Sequence, residues 1–438
     1  MVIVQDASES ELRFAVNTMT TNGVRRERRV TVVRFSERPE GVGVGIASSS
    51  GSPDVGELIE AADTDASKAP PADDAAPLLT AEQSADFSDG PVPTEPSVLG
   101  GVLSGLGGAF ERARAARRVL AGYAEHSIST TYLGSSAGVR LRHVQPTGKL
   151  ELVARDESGG RSAWVGRGSA DFSDIDVRSM EDRVSERLGW AQRQVELPAG
   201  RYQVLVPPDA VADLVLMLEN AASGREAEEG RSVFSAPGGG TRLGQTLSTE
   251  PFELRSDPRE PGIECSPFLV ATASSSDVSV FDNGMPLRPT AWIKGGRLER
   301  LRYHRAGAAR SRHEPAAPID NLVLQVEGAD KSLEDMVAGT DRALLLTCLW
   351  YIREVDPSTL LLTGLTRDGV YLVEHGEIVG AVNNFRFNES PVDMLARTVE
   401  VGRTERALSR EWNEWFNRTA MPPLRVEGFN MSSVSPAT

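Results

Sequence analysis

The sequence predicts an α+β protein in which a mixed region of helices and antiparallel strands precedes a β-rich C-terminal region. Segments with a helical period lie mainly in the first half of the chain, whereas short alternating runs bounded by turn residues dominate the second half. A length of 438 residues suggests two or three domains. We place the boundary near Pro207, where two prolines follow an apolar run, so that the predicted units are residues 1–207 and 208–438.

The N-terminal region is predicted to open with a β-hairpin. Residues 11–23 alternate and end at Asn22-Gly23, a pair that favours hairpin turns, and Arg29 to Phe35 alternate again. A helical period covers residues 54–66. Residues 68–96 are rich in Pro, Asp, Ala and Ser and lack periodicity, so we expect a long surface loop or a partly ordered linker.

Further helices and an antiparallel meander are predicted to complete this region. A helical period extends from Ser97 to His126, and residues 127–166 read as four short strands. The turns of this meander are predicted at Gly134-Ser135, Pro146-Thr147-Gly148 and Ser158-Gly159-Gly160. An amphipathic helix over residues 176–192, with Asp174 as its N-cap, precedes a buried strand over residues 200–206 and a helix over residues 209–222.

Beyond Gly230 the chain is predicted to consist mostly of strands and turns. Gly295-Gly296 separates two alternating runs and indicates a hairpin. The other predicted strands cover residues 321–327, 342–353, 359–365, 369–374 and 377–387, and one helix covers residues 391–403.

Composition and charge exclude several classes of function. The formal net charge of −15 argues against a nucleic-acid partner, because phosphate binding needs an excess of Lys and Arg on one face. No run of about 18 apolar residues predicts a membrane helix, and Met1–Ser8 lacks a signal segment. We therefore expect a cytoplasmic protein with no membrane partner. Two cysteines, Cys265 and Cys348, cannot form a disulfide framework or a thiolate metal cluster.

Common catalytic motifs are missing or stand in the wrong context. None of the five histidines belongs to an H-E-x-x-H pattern, and lone histidines are more often structural than metal ligands. The run Gly134–Gly138 matches G-x-S-x-G, but a strand follows it where a nucleophile elbow requires a helix, so a hairpin turn is favoured. The glycines at 41, 43 and 45 and at 238–240 do not open a helix after a strand, which argues against dinucleotide binding.

Several motifs resemble, in their order and spacing, those of the TldD/PmbA family. In the second half they are Asp320-Asn321, the run from Gly328 to Met336, the run from Leu365 to Ile378, and residues 383–402. Asp282-Asn283-Gly284 and the stretch from Leu12 to Gly23 resemble further family elements. The likeness covers nearly the whole chain, and it implies a β-rich C-terminal domain of the TldD/PmbA type.

The resemblance also implies that this chain lacks the family's metal site. TldD proteins bind their metal through an H-E-x-x-x-H helix and a cysteine near the C-terminus. In the matching helix, residues 215–226, Leu218 and Ser223 stand at the two histidine positions and Glu219 at the glutamate position. No cysteine follows Cys348. A glutamate without a metal-bound water to deprotonate cannot perform that hydrolysis, so we expect no catalytic residue, no metal, and Glu219 as an ordinary helix carboxylate.

This pattern is typical of PmbA-like (TldE) chains, which resemble the metal-binding subunit but depend on it for catalysis. The implied function is that of a non-catalytic subunit of a two-component metallopeptidase that degrades or trims unstructured peptides. Its partners would be a TldD-like subunit, which carries the zinc, and peptides, which a sheet edge can hold as an added strand.

Two alternatives stay open at this point. One is a stand-alone peptide-binding or scaffold protein, a homodimer that has lost peptidase activity. The other is an enzyme whose metal is held by non-adjacent residues such as His304, His313 and Glu314.

Overall fold

The computed structural model describes residues 1–80, 84–157, 160–367 and 369–436. Within this part of the chain, three β-sheets and the helices packed on them form the molecule. An antiparallel sheet with helices makes up the N-terminal half, and the C-terminal half is β-rich, so the predicted α+β class is confirmed. No helix of the described residues has both the length and the apolar character that a bilayer crossing needs.

The first sheet belongs to the N-terminal half, and its neighbouring strands are all antiparallel. In chain order its strands are β1 (Val2–Ala15), β2 (Thr18–Arg38), β3 (Gly41–Ser50), β4 (Arg118–Gly134), β5 (Arg140–Asp156) and β6 (Ser162–Ser169). Their spatial order is β3-β2-β1-β4-β5-β6.

Three helices pack on this sheet. They are α1 (Val55–Lys68), α2 (Gly100–Ala115) and α3 (Val177–Trp190). Side chains of α2 and α3 form a common core with β4, β5 and β6, which includes Leu106, Leu150 and Val184. The glycines of β3 let α1 lie directly on the strand, because a Cβ at Gly45 would come within 1.9 Å of the carbonyl oxygen of Ala62. These glycines therefore serve close packing of a helix on a strand.

The hairpin between β1 and β2 turns at Val16-Asn17, so the prediction of a turn at Asn22-Gly23 was wrong. Val16 and Asn17 both have positive φ, 51° and 56°, as a tight hairpin turn of this kind requires. The Asn17 side chain donates to the carbonyl oxygen of Arg118 (2.7 Å) and accepts from the N–H of Leu120 (2.7 Å). These long-range bonds to β4 fix the turn, and Asn22-Gly23 pairs with β1 inside β2.

The predicted helix from Ser97 to His126 was also wrong beyond its first half. A 3-10 turn (Pro96–Leu99) leads into α2, which ends before Arg117, a residue with a φ of 52°. The rest of the segment is β4, because pairing with β1 on one side and β5 on the other satisfies its backbone along the whole strand. Tertiary pairing thus overrides the helical spacing of the apolar residues.

The predicted meander has fewer and longer strands than expected. Pro146-Thr147-Gly148 lies within β5, which pairs with β4 from Arg140 to Asp156 without a break. The turn at Gly134–Gly138 is confirmed, with the N–H of Ser135 donating to the carbonyl oxygen of Val139 (2.9 Å). The predicted turn at Ser158-Gly159-Gly160 lies partly outside the described residues. Asp176, not Asp174, caps α3 by accepting from two backbone N–H groups of its first turn.

The segment predicted as a loop has no helix or regular strand in its described part, residues 69–80 and 84–95. It is nevertheless anchored to the protein. Asp74 is buried and accepts hydrogen bonds from the hydroxyl groups of Ser274 (2.6 Å) and Ser279 (2.7 Å) in the C-terminal half.

The C-terminal half contains the other two sheets. The second sheet has the order β11-β10-β9-β12-β21-β20, with β9 (Glu253–Ser256), β10 (Thr290–Lys294), β11 (Arg297–Leu298), β12 (Leu322–Gln325), β20 (Glu405–Ala407) and β21 (Thr419–Met421). The third has the order β14-β15-β18-β22-β8-β13-β16-β17-β7, with β7 (Gln194–Val195), β8 (Gly200–Val206), β13 (Arg342–Leu346), β14 (Trp350–Asp356), β15 (Leu361–Leu365), β16 (Val370–Glu374), β17 (Glu377–Val382), β18 (Phe385–Glu389) and β22 (Leu424–Val434). A further strand, β19 (Thr398–Val401), pairs with β22.

Five helices accompany these sheets: α4 (Pro208–Asn220), α5 (Gly224–Glu228), α6 (Arg305–Ser311), α7 (Leu333–Ala338) and α8 (Pro391–Ala396). The helix predicted over residues 391–403 is thus shorter, and its last residues form β19. Two predicted strands each divide in two, residues 342–353 into β13 and β14 and residues 377–387 into β17 and β18. The division at residue 207 stays a prediction, but β8 lies between β22 and β13 and therefore belongs to a sheet of the C-terminal half.

The segment of residues 408–417, which follows β20, connects the two halves and is called the connecting segment below. The ammonium group of Lys149 in β5 donates to the side-chain oxygen of Asn413 (2.7 Å). The guanidinium of Arg410 lies 5.4 Å from the ring centre of Trp164 in β6 and 4.5 Å from that of Trp350 in β14. Cation–π contacts of this kind stabilise the junction.

The connecting segment also covers part of an edge of the third sheet. The carboxylate of Glu411 accepts from the backbone N–H groups of Tyr351 (3.0 Å) and Ile352 (3.1 Å) of the edge strand β14. The guanidinium of Arg353 donates to the same carboxylate (3.0 Å).

Replacing Asn17 by glycine should lower the free energy of unfolding by about 2 kcal/mol. Glycine adopts positive φ freely, so the variant loses only the two side-chain hydrogen bonds, each worth about 1 kcal/mol. Urea denaturation followed by circular dichroism measures the change. Asn22→Ala, at an exposed position of β2, is the matched control and should alter the stability by less than about 0.5 kcal/mol. Equal effects of the two variants would contradict the role given to Asn17.

Candidate functional site

The segment in which the sequence predicts one helix carrying Leu218, Glu219 and Ser223 is broken in two. The predicted single helix over residues 215–226 divides into α4 and α5. Ser223 lies in the break as the N-cap of α5, where its hydroxyl accepts from the N–H of Glu226 (3.4 Å). Leu218 is 1% exposed and packs in the main core of the C-terminal half. The two positions therefore do not present side chains from one continuous helix to a common ion.

Glu219 is held by a buried ion pair. Its carboxylate accepts from the guanidinium of Arg302 at 3.1 Å, and the two side chains are 10% and 7% exposed. A second carboxylate, that of Asp277, lies 2.9 Å from another nitrogen of the same guanidinium. Arg302 also donates to the carbonyl oxygen of Asn220, one of the last residues of α4. One guanidinium thus binds the end of α4 and two carboxylates.

The charges in this cluster do not cancel without a proton. Two carboxylates face one guanidinium, which leaves one negative charge in excess if both acids are ionised. Burial raises the pKa of Glu219; the charge of Arg302 opposes this rise and that of Asp277 adds to it. Burial therefore favours the protonated form of Glu219 more in the folded protein than in water.

Backbone pairing brings Arg302 to this place. Residues 222–224, which end with the first residue of α5, pair with residues 301–303 as a short parallel bridge at Ser223 and Arg302. The N–H of Arg302 donates to Ala222 (2.8 Å), and the N–H of Gly224 donates to Arg302 (2.9 Å). A Cβ at Gly224 would lie 2.0 Å from the ring of Tyr303, so only glycine allows the ring to lie against the backbone there.

A cavity of about 520 Å³ lies beside this cluster. Tyr303, Glu228, His304 and Arg310 are among its lining residues. The hydroxyl of Tyr303 donates to the carboxylate of Glu228 (2.8 Å), and burial raises the pKa of this phenol well above its usual range. Two of the lining side chains, those of Tyr303 and Glu228, are therefore already hydrogen-bonded to each other.

The three residues of the alternative metal site do not converge. The Nδ1 atom of His304 accepts from the N–H of Gly307 (3.2 Å) and so caps α6. The ring of His313 stacks on Tyr303 with 5.2 Å between ring centres, and Glu314 is exposed. Across the described residues, no three His, Cys, Asp or Glu side chains are grouped so that they could hold a metal ion.

Zinc does not fit the residues at the motif positions. Leu218 offers no donor atom, the Ser223 hydroxyl caps a helix, and the Glu219 carboxylate is bound by a cation. Cys265 and Cys348 are both buried, and burial raises the pKa of the Cys265 thiol to about 12, which disfavours the thiolate that metals bind.

A family model described as the PmbA/TldA metallopeptidase C-terminal domain matches residues 199–433, more than half of the chain. The chain belongs to the PmbA/TldD family. The matched region contains the broken helix and Arg302, so the site described above lies in the family's C-terminal domain. No curated protein sequence matches the chain.

Solved structures support the fold of this PmbA/TldD protein. TldE from Thermococcus kodakarensis is 18% identical with a TM-score of 0.79, over 98% of this chain and 95% of that chain. A Thermotoga maritima protein named as a candidate modulator of a DNA gyrase is 16% identical with a TM-score of 0.72, over 98% and 95%. A protein with a similar name from Bacteroides thetaiotaomicron is 14% identical with a TM-score of 0.72, over 99% and 94%. At these identities the likeness shows the fold.

The roles of two residues of the site, Arg302 and Asp277, could not be predicted from the sequence. Neither lies in a recognisable motif, and Arg302 is 83 positions from Glu219. The local signal is the resemblance of residues 215–226 to a helix with histidines at positions 218 and 223, which does not indicate what binds the carboxylate of Glu219.

Farther along α4, towards its N-terminus, Asp213 is a second buried carboxyl group. It accepts from the hydroxyl of Ser409 (2.5 Å) and from the N–H of Glu411 (2.9 Å) in the connecting segment. Both bonds reach the same oxygen, Oδ1. Burial raises the pKa of Asp213 to about 8, although these two hydrogen bonds oppose the rise. Burial therefore favours the protonated form of this group in the folded protein.

Arg302→Met should lower the free energy of unfolding by about 3–5 kcal/mol, because it leaves the buried Glu219 and the partly buried Asp277 without their cation. Chemical denaturation measures this change. Arg300→Met, an exposed arginine two residues earlier, is the control and should change stability by less than about 0.5 kcal/mol. Adding Glu219→Gln to Arg302→Met should recover part of the loss, and the absence of any recovery would argue against the pairing of these two residues.

The contribution of Asp213 to the free energy of unfolding should fall as the pH rises from about 4 to about 8. In this window the unfolded chain has released the proton, since the ordinary pKa of an aspartate side chain is 3.8, while the folded protein retains it up to about 8. Asp213→Asn keeps the accepting oxygen and removes the titration, so its melting temperature should rise relative to the parent as the pH increases. Asp182→Asn, at an exposed site of α3, is the control. Parallel melting curves for Asp213→Asn and the parent would contradict this assignment.

Proposed function

We propose that this chain is the non-catalytic subunit of a cytoplasmic two-component metallopeptidase that processes unstructured peptides. The proposed partner is a TldD-like subunit that carries the zinc and the catalytic glutamate. The observation that carries the proposal is the ion pair between Glu219 and Arg302, in which the carboxylate at the catalytic position of the family is bound by a guanidinium.

The chemistry of this position supports an inactive role. A general base must reach the proton it removes, through direct contact or one water. The carboxylate of Glu219 is 10% exposed, is bound by Arg302, and has a raised pKa because of burial. Leu218 and Ser223 supply neither imidazole nor thiolate to a metal. Hydrolysis would therefore depend on residues of another chain.

The family and the charge of the chain support the remaining parts of the proposal. The matching family model is described as a metallopeptidase domain, and one similar structure is named TldE. A net charge of −15 favours a protein or peptide partner over nucleic acid. A peptide can be bound by adding a strand to a sheet, and the sheets of the C-terminal half have edges.

The test compares the chain alone with the chain co-expressed with the H-E-x-x-x-H relative from the same organism. Bound zinc, assembly mass and cleavage of an unstructured peptide are measured in both samples. Zinc and cleavage should appear only in the co-eluting complex. A chain that alone binds stoichiometric zinc and cleaves peptide would overturn the proposal. A stable homodimer that binds peptide and ignores the relative would favour the stand-alone scaffold.

Glu219→Gln tests the role of the carboxylate within the complex. The amide keeps an oxygen that can accept from Arg302, so the variant should fold. The rate of cleavage per assembled complex should stay within about twofold of the parent. Loss of a general base would lower this rate by about 10²-fold or more. The matched variant is the same Glu→Gln change in the H-E-x-x-x-H motif of the partner, which should abolish cleavage. A large loss of activity from Glu219→Gln, with assembly and zinc unchanged, would place this residue in the reaction.

A further inference from the structure

A second cavity, at the other end of α4 from Glu219, is lined by five arginines. It has a volume of about 220 Å³ and lies between α3, the first turn of α4 and the residues around β20. The arginines come from four parts of the chain: Arg167 from β6, Arg183 and Arg187 from α3, Arg403 from the loop before β20, and Arg406 from β20. Such a concentration is unusual in a chain with a net charge of −15.

Two of these arginines are neutralised by carboxylates and three are not. Arg403 pairs with Glu405 (2.9 Å), and Arg406 pairs with Asp174. Within the described part of the chain, Arg167 and Arg187 donate only to backbone carbonyl oxygens, those of Arg406 (2.9 Å) and Trp164 (2.6 Å).

Arg183 has neither a hydrogen-bond nor an ion-pair partner among the residues that the structure describes. Of the other arginines in the cavity, Arg187 is almost fully buried, with an exposed fraction of 5%. A guanidinium so far from water normally has an anion as its partner.

Among the described residues no acidic group of the cavity forms an ion pair with Arg187, although the charge of Asp209 acts on this guanidinium and opposes the lowering of its pKa by burial. Glu186 and Glu334 are at least partly exposed to solvent, and Glu405 is already paired with Arg403. Asp209 accepts from the N–H of Leu408 (3.0 Å), and no ion-pair contact joins it to the arginines within the described chain. Burial raises the pKa of Asp209; the charges of Arg187, Arg167 and Arg183 oppose this rise.

The first turn of α4 adds further positive potential. This 13-residue helix begins at Pro208, and no side chain caps its first turn. Pro207, Pro208 and Asp209 of this turn line the cavity. Pro207 and Pro208 have no N–H to donate, but the positive end of the helix dipole at this N-terminus favours anions.

We propose that this cavity binds a small phosphate-type oxyanion, either free phosphate or the phosphoryl group of a metabolite. Guanidinium groups match the oxygens of phosphate in geometry as well as charge, and three of them lack a carboxylate here. The cavity lies where α3, which packs on the first sheet, meets α4 and β20 of the C-terminal half. A bound anion would therefore link elements of both halves. This site does not depend on the peptidase assignment, and either proposal can fail alone.

The test is calorimetric titration of the full chain with inorganic phosphate and, separately, with glycerol 2-phosphate, at an ionic strength held constant with chloride. Saturable binding is expected for at least one probe. Arg183→Gln should raise the dissociation constant about tenfold or more, since a hydrogen bond to a charged group contributes at least about 1.5 kcal/mol. Arg178→Gln, on the same helix but paired with Asp182, should leave it within about twofold.

The outcomes distinguish the two sources of the anion. Tighter binding of the ester assigns the site to a phosphorylated metabolite, and tighter binding of phosphate assigns it to the free ion. Both results support the site. Arg183 is exposed, so its variant should fold, which circular dichroism verifies. No saturable binding of either probe, or equal effects of Arg183→Gln and Arg178→Gln, would overturn the proposal.

Discussion

The buried ion pairs of Arg302 allow α4 to lie inside the C-terminal half. Nine of the thirteen residues of this helix are buried, and Asp213 and Glu219 are among them. A buried carboxylate is costly unless it is paired or protonated. The structure uses both solutions, a guanidinium for Glu219 and, for Asp213, burial that favours the protonated form. The ion pair with Glu219 holds residues 301–304 against the C-terminal end of α4. The hydrogen bonds of Asp213 hold the connecting segment against a part of the same helix nearer its N-terminus.

The sequence predicted the fold class and the family because both depend on repeated local patterns. The alternating runs of the second half and the order of the motifs gave consistent evidence over many residues. The errors arose where a distant contact decided the local structure. Asn17 turns the first hairpin because it bonds to β4, about a hundred positions away. The segment from residue 118 to 126 has helical spacing but forms a strand because β1 and β5 pair with it.

The candidate site likewise has some features that are local in the sequence and others that depend on long-range contacts. Leu218, Glu219 and Ser223 could be singled out from the sequence, because a resemblance to a helical motif is a local feature. The break between α4 and α5 and the identity of the cation could not. Arg302 reaches Glu219 only because residues 222–224 pair with residues 301–303, and such backbone pairing leaves no mark in composition or periodicity. The same holds for the arginines of the second cavity, which come from four separate segments.

The carboxylate of Glu411 at the edge of the third sheet has a consequence for self-association. Two adjacent N–H groups of β14 are already satisfied by this side chain, which is 8% exposed. A neighbouring molecule that tried to extend the sheet along β14 would have to displace a charged group that three donors hold. Open strand edges are templates for polymerisation, and inward-facing charges are one way in which proteins close them. The exposed Tyr351 and Val355 of this strand can therefore remain at the surface without making it a seed for aggregation.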